Sequence, residues 1–191
     1  MVATILWTLF TLICKWLPHT ANYSPEIAMT VYFASRYSFL KAGLLALAVV
    51  EIGDIVLAVL QGYPAFGLWS IVNAVTLLLI IALCARSWSK IRGLNCIAKI
   101  FCASLFFWLL TNLGVWLSAG YYPMSVQGLI LCYQMALPFL PAQLLSGVAF
   151  GALWAVVEYY LYPVFKGGFL KLSNETSLIP SRKFKKSKVR Y

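Results

Sequence analysis

Glu51 and Asp54 stand three residues apart inside an otherwise apolar stretch. That spacing puts both carboxylates on one face of a helix. Asn73 and Asn112 interrupt two further apolar stretches, and Lys15 falls near the end of the first. Such groups are costly in hydrocarbon and mark either a binding site or a buried pair. Counted from the expected helix ends, Asp54 and Asn73 lie seven residues in and Asn112 six. At a rise of about 1.5 Å per residue, each sits about 10 Å below the same surface. His19, Asn22, Tyr23 and Glu26 occupy the adjoining loop and the start of the second stretch. Polar groups from several segments therefore converge at one depth. In one reading they pair structurally, for instance Lys15 with Asp54. In the other they line a pocket for a small polar solute, with aromatic side chains as walls. Glu158, near the opposite end of the last stretch, is expected to snorkel or to pair with tail or loop cations.

Enzymatic chemistry finds no support in the residue types. An intramembrane aspartyl protease needs two aspartates, and Asp54 is the only one in the chain. A G-x-S-G serine site fails because Leu144 stands where Ser146-Gly147 requires a glycine, and His19 lies on the outer side. Neither H-E-x-x-H nor a Walker A sequence is present, so the chain is expected to be no enzyme and to hold no nucleotide. Five cysteines (Cys14, Cys84, Cys96, Cys102, Cys132) without C-x-x-C spacing, beside one histidine, read as apolar packing residues. No metal or other cofactor is expected.

The elements that must position the polar groups are set by composition. The chain has 191 residues, 62% hydrophobic and 10% charged, with a mean hydropathy of +0.86. Soluble domains run at about 45–50% apolar and about 25% charged. A soluble globular domain is excluded, and with it disordered, collagen-like and nucleic-acid-binding folds. Six apolar segments are expected, at about 2–17, 25–37, 39–60, 66–85, 97–118 and 142–162. The second, about 13 residues long, falls short of the roughly 20 a helical span needs, so it is tilted, re-entrant or buried among its neighbours. Pro25 suits its first turn and Ser24 its N-cap. The first segment has no preceding Lys or Arg and no A-x-A site after it, so it reads as a retained helix. A loop with Tyr121-Tyr122-Pro123 and a short apolar run, Gly128 to Leu137, precede the sixth.

Charge sets the expected orientation. Arg36 and Lys41 lie between segments two and three, and Arg86, Lys90, Arg92 and Lys99 between four and five. From Lys166 to Tyr191 eight basic residues face the single Glu175. The other three connections carry no Lys or Arg. The positive-inside rule then places both termini in the cytoplasm and requires an even number of crossings. Tyr63, Trp69, Trp116, Tyr121 and Tyr122 form an interfacial belt on the uncharged side. The expected fold is an all-α membrane protein, a six-helix transmembrane bundle over residues 1–163. A basic, disordered cytoplasmic tail over 164–191 lies near anionic lipid headgroups; nucleic acid is not its expected partner. Gly147, Gly151 and Ala155 repeat every four residues, as do Ala42 and Ala46, which lets helices approach closely, within the bundle or against another subunit.

Asn22-Tyr23-Ser24-Pro25, Thr111-Asn112-Leu113-Gly114-Val115-Trp116, Tyr122-Pro123, Gly128-Leu129, Cys132-Tyr133 and Pro138-Phe139 together resemble an uncharacterised family of small bacterial multi-pass proteins. That family is in turn similar to the substrate-binding S components of energy-coupling-factor vitamin transporters. The resemblance covers most of residues 1–162. It implies an outward-facing, vitamin-sized pocket capped by the first loop, and docking onto a transmembrane coupling protein driven by cytosolic ATPases. Asn112 and Trp116 would face that pocket, with Asn22 and Tyr23 in the capping loop. S components often carry alanines four apart on helix one, whereas the first segment here has Ala3 alone.

The expected function is binding of a small polar solute, vitamin- or nucleobase-like, for uptake across a bacterial cytoplasmic membrane. Asn22, Tyr23, Asp54, Asn73, Asn112, Trp116 and Tyr133 are the expected binding residues. A membrane scaffold for envelope assembly and a stand-alone carrier using Glu51 and Asp54 for protons are the alternatives.

Overall fold

A computed structural model describes residues 2–18, 20–85, 94–118 and 120–157, and every regular element among them is helical. Five helices come first: α1 (Val2–Trp16), α2 (Glu26–Arg36), α3 (Phe39–Gln61), α4 (Leu68–Ala85) and α5 (Leu94–Ser118). The sixth, α6, has two arms. Its first arm is Val126–Ala136, the chain tightens into a 3-10 turn at Leu137–Phe139, and a second helical arm runs over 140–157. Pro138, lacking an N–H and crowding the preceding turn, accounts for the tightening. The apolar run expected at Gly128–Leu137 and the sixth segment are therefore continuous helical backbone. His19, Arg86, Lys90, Arg92, Glu158, the boundary expected at 163/164 and the basic tail lie outside the described residues.

Among the described residues, three stretches are long and apolar enough to cross a membrane: Phe39–Gln61, Asn95–Ser118 and Val126–Val157. Ala3–Trp16 and Leu68–Cys84 are shorter apolar helices. Large aliphatic side chains such as Leu40, Val59, Leu60 and Val126 stand 70–76% exposed, a surface that water does not tolerate over so wide an area. This is a helical membrane protein.

The short α2 is central. Its residues Ile27 to Ala34 are buried without a break, and it contacts α1, α3, α4 and α5. A helix enclosed by protein on every side needs neither the length nor the amphipathic pattern of a lipid-facing span. Of the three expectations for this segment, burial among its neighbours is the one observed. Around it, Trp7 of α1 stacks on Trp154 of α6 with ring centroids 5.0 Å apart, and Trp154 meets Tyr32 of α2 edge-on at 4.3 Å.

Small residues set the closest approaches. A β-carbon on Gly147 would lie 2.3 Å from Ser104 Oγ, and one on Gly151 would lie 2.5 Å from Ile100 Cδ1. Ala42 and Ala46 are fully buried on α3. Both repeats are therefore used within the bundle, between α5 and α6 and around α3. The helices form one packed unit that ends at Ala155.

Candidate solute-binding cavity

Two helix ends begin the site. Lys15 lies in the last turn of α1 and Glu26 in the first turn of α2. Each sits where the helix dipole favours its charge. Ser24 Oγ accepts a hydrogen bond from the Glu26 N–H at 3.2 Å, fixing the start of α2. The loop between them turns at Asn22, whose φ of +63° is left-handed, a conformation that asparagine tolerates.

Lys15 Nζ lies 2.5 Å from Glu26 Oε1 and 2.6 Å from Asp54 Oδ1. The three side chains are only 10%, 18% and 13% exposed, so the triad is shielded from water. Val50 O of α3 receives the ammonium at 3.5 Å, and Trp16 Nε1 donates to Gly53 O at 3.4 Å, clamping α1 onto α3. Glu51, one turn back on α3, has Oε2 buried without a hydrogen-bond partner.

A cavity of about 380 Å³ opens beside the triad. Every helix contributes to it: Lys15 from α1, Glu26 and Ile27 from α2, Asp54 and Leu57 from α3, Trp69 and Asn73 from α4. Phe107, Trp108, Thr111, Asn112 and Val115 come from α5, Gln143 from the second arm of α6, and Asn22 and Ser24 from the loop. Its size suits a small molecule, and its lining, mostly polar with Trp69, Phe107 and Trp108 as aromatic walls, suits a polar one. On α5 the polar groups are held in place. Thr111 Oγ1 donates to Phe107 O and Asn112 Nδ2 to Trp108 O, both at 2.8 Å. Trp108 in turn donates from Nε1 to Ala136 O at 3.2 Å, which ties the α5 wall to α6.

All of these residues fall within 1–166, the stretch matched by a protein-family model. The chain belongs to DUF6580, a family of unknown function. No curated protein and no solved structure matches it. An uncharacterised family is what the Asn112-to-Trp116 and Cys132-to-Phe139 residues led one to expect.

In this DUF6580 chain, four of the seven expected binding residues line the cavity together: Asn22, Asp54, Asn73 and Asn112. The other three stand outside the lining. Tyr23 packs against Phe150 with centroids 5.6 Å apart. Trp116 Nε1 donates to Pro123 O at 3.0 Å, and Tyr133 Oη donates to Leu109 O at 2.8 Å. The pairing of Lys15 with Asp54 and the existence of a cavity, set against each other above, occur together. Thr111, Trp108 and Gln143 also line the cavity, although none was among the expected binding residues. Gln143 is an amide within an apolar arm and only 6% exposed, the same signal that singled out Asn73. Trp108 stands one helical turn before Asn112, on the same face.

All five cysteines are free. Among the described residues, no group of three His, Cys, Asp or Glu side chains is arranged to hold a metal.

Proposed function

We propose that this DUF6580 protein is the solute-binding subunit of a membrane uptake system, receiving a small polar solute in the cavity between α1 and α6. The single observation that carries the reading is the convergence of Asn22, Asp54, Asn73, Asn112, Thr111 and Gln143, from every side of the bundle, on one space of about 380 Å³. A purely structural ion pair needs no such space beside it. The alternation of basic and uncharged connections supports an even number of crossings in a bacterial cytoplasmic membrane, with both termini inside and the cavity opening outward. The resemblance carried by Asn112–Trp116 and Cys132–Phe139 supports a partnership with a transmembrane coupling protein and cytosolic ATPases, as in S components.

Asn112→Ala and Asp54→Ala test the reading. Both are expected to abolish solute binding or uptake while the protein still accumulates in the membrane. Normal binding and transport by both variants would end it. Mild purification from the native membrane, with mass spectrometry of co-eluting proteins and small molecules, is expected to yield a solute or an ATPase module. Recovery of envelope-assembly proteins without a ligand would favour a scaffold.

A further inference from the structure

We infer that the solute accepted by this cavity is a small organic cation rich in hydrogen-bond donors, an ammonium or amidinium compound. The inference rests on the solute-binding reading above and narrows it to one chemical class.

Charge is the first ground. Among the described lining residues one cation, Lys15, faces two carboxylates, Glu26 and Asp54. The lining therefore carries one formal net negative charge, in a place where the side chains of the triad are at most 18% exposed. Glu51, one turn away and outside the lining, has its Oε2 buried and unpartnered. A shielded, unbalanced charge is costly, and a cation arriving from outside offsets that cost.

Hydrogen-bond direction is the second ground, and it is independent of charge. An ammonium has three donors, and those of Lys15 are met by Glu26 Oε1, Asp54 Oδ1 and Val50 O. None is left for the oxygens of an anionic solute. The Thr111 hydroxyl hydrogen is spent on Phe107 O, which leaves that group as an acceptor. Asn112 turns its amide nitrogen to Trp108 O, since a carbonyl accepts only, and so keeps Oδ1 as an acceptor. An anion entering here would meet the Glu26 and Asp54 carboxylates beside the one cation, with only the neutral donors of Asn22, Asn73, Gln143 and Trp69 to receive it. A cation with N–H groups would meet those carboxylates, the Thr111 hydroxyl oxygen and Asn112 Oδ1 as acceptors, and the rings of Trp69 and Phe107 in the lining favour positive charge over their faces.

The experiment is calorimetric titration of the purified protein in lipid nanodiscs with three probes of matched size: benzamidinium, benzyl alcohol and benzoate. Benzamidinium is expected to bind at least tenfold more tightly than either of the others. Asp54→Asn leaves a neutral Lys15–Glu26 pair and is expected to reduce benzamidinium affinity at least tenfold. Glu26→Gln makes the same change of charge from a different helix, so a folding defect peculiar to one variant does not decide the matter. Equal or tighter binding of benzoate, or a benzamidinium affinity unmoved in both variants, would overturn the cation assignment and leave the solute reading standing. Failure of all three probes to bind would also overturn it. The solute reading then stands or falls separately, on the small molecules recovered with the protein from its native membrane.

Discussion

Gly53 of α3 and Lys15 of α1 lie so close that a β-carbon on the glycine would stand 2.5 Å from Lys15 Cδ and 3.1 Å from Cε. The bare α-carbon lets the lysine stem lie across α3, which carries Nζ to the carboxylate of Asp54 at the next position. The charged triad thus depends on a glycine that itself lies outside the cavity lining.

Gly53→Ala is expected to destabilise the protein by about 1–3 kcal/mol, the usual cost of overfilling a packed interior. In a Lys15→Ala background the obstructing stem is gone. There the same change is expected to be stabilising, because alanine is preferred over glycine in a helix by about 1 kcal/mol. Thermal unfolding of the four proteins in detergent measures the cycle. An alanine that costs the same in both backgrounds would show that the two residues do not compete for this space.

Removing different members of the triad should have unequal effects. Lys15→Met leaves Glu26 and Asp54 facing each other without a cation, and breaking a shielded pair in this way costs about 3–5 kcal/mol. Asp54→Asn keeps the Lys15–Glu26 pair and leaves it balanced, so its cost is expected to be less than half as large. Unfolding midpoints of the two variants decide the order. Equal losses would mean that the lysine is not shared.

Trp116 and Tyr133 separate structural from binding roles. Each donates to a backbone carbonyl, Pro123 O and Leu109 O, and stands outside the cavity lining. Trp116→Phe and Tyr133→Phe are expected to lower stability by about 0.5–1.5 kcal/mol, the net worth of one such hydrogen bond, with solute affinity changed less than twofold. Asn112→Ala is expected to do the reverse in kind, losing the solute. A large affinity loss in Trp116→Phe would restore that residue to the site.

Hydropathy fixes helix ends, and a helix has a constant rise. That was enough to bring Asp54, Asn73 and Asn112 to one level. It had no means of fixing azimuth: Trp116 is one turn beyond Asn112 and at a suitable height, yet its indole is taken by Pro123 O. Nor does hydropathy distinguish a buried short helix from a re-entrant one, since the length of α2 fits both and only its neighbours decide. The closeness of Gly53 to Lys15 was beyond reach, because a single glycine in an apolar helix carries no periodic signal. Gly147 and Gly151 did carry one. Their spacing showed that something packs there, while the identity of that partner came from Ile100 and Ser104.

That partner leads to a prediction distinguishing a self-contained bundle from a docking subunit. Gly147 is buried against Ser104, with no room for even a methyl group, whereas Leu145 on the same arm is 64% exposed. Gly147→Leu forces α5 and α6 apart, so the isolated protein itself should lose at least about 2 kcal/mol, within the range for overfilled or strained interiors. Leu145→Ala removes a surface side chain and is expected to stay within about 0.5 kcal/mol of the parent. Thermal unfolding of the purified chain, free of partners, makes the comparison. If Gly147→Leu left the isolated chain as stable as the parent but stripped a co-purifying membrane protein from it, the stripe would face a partner and not α5.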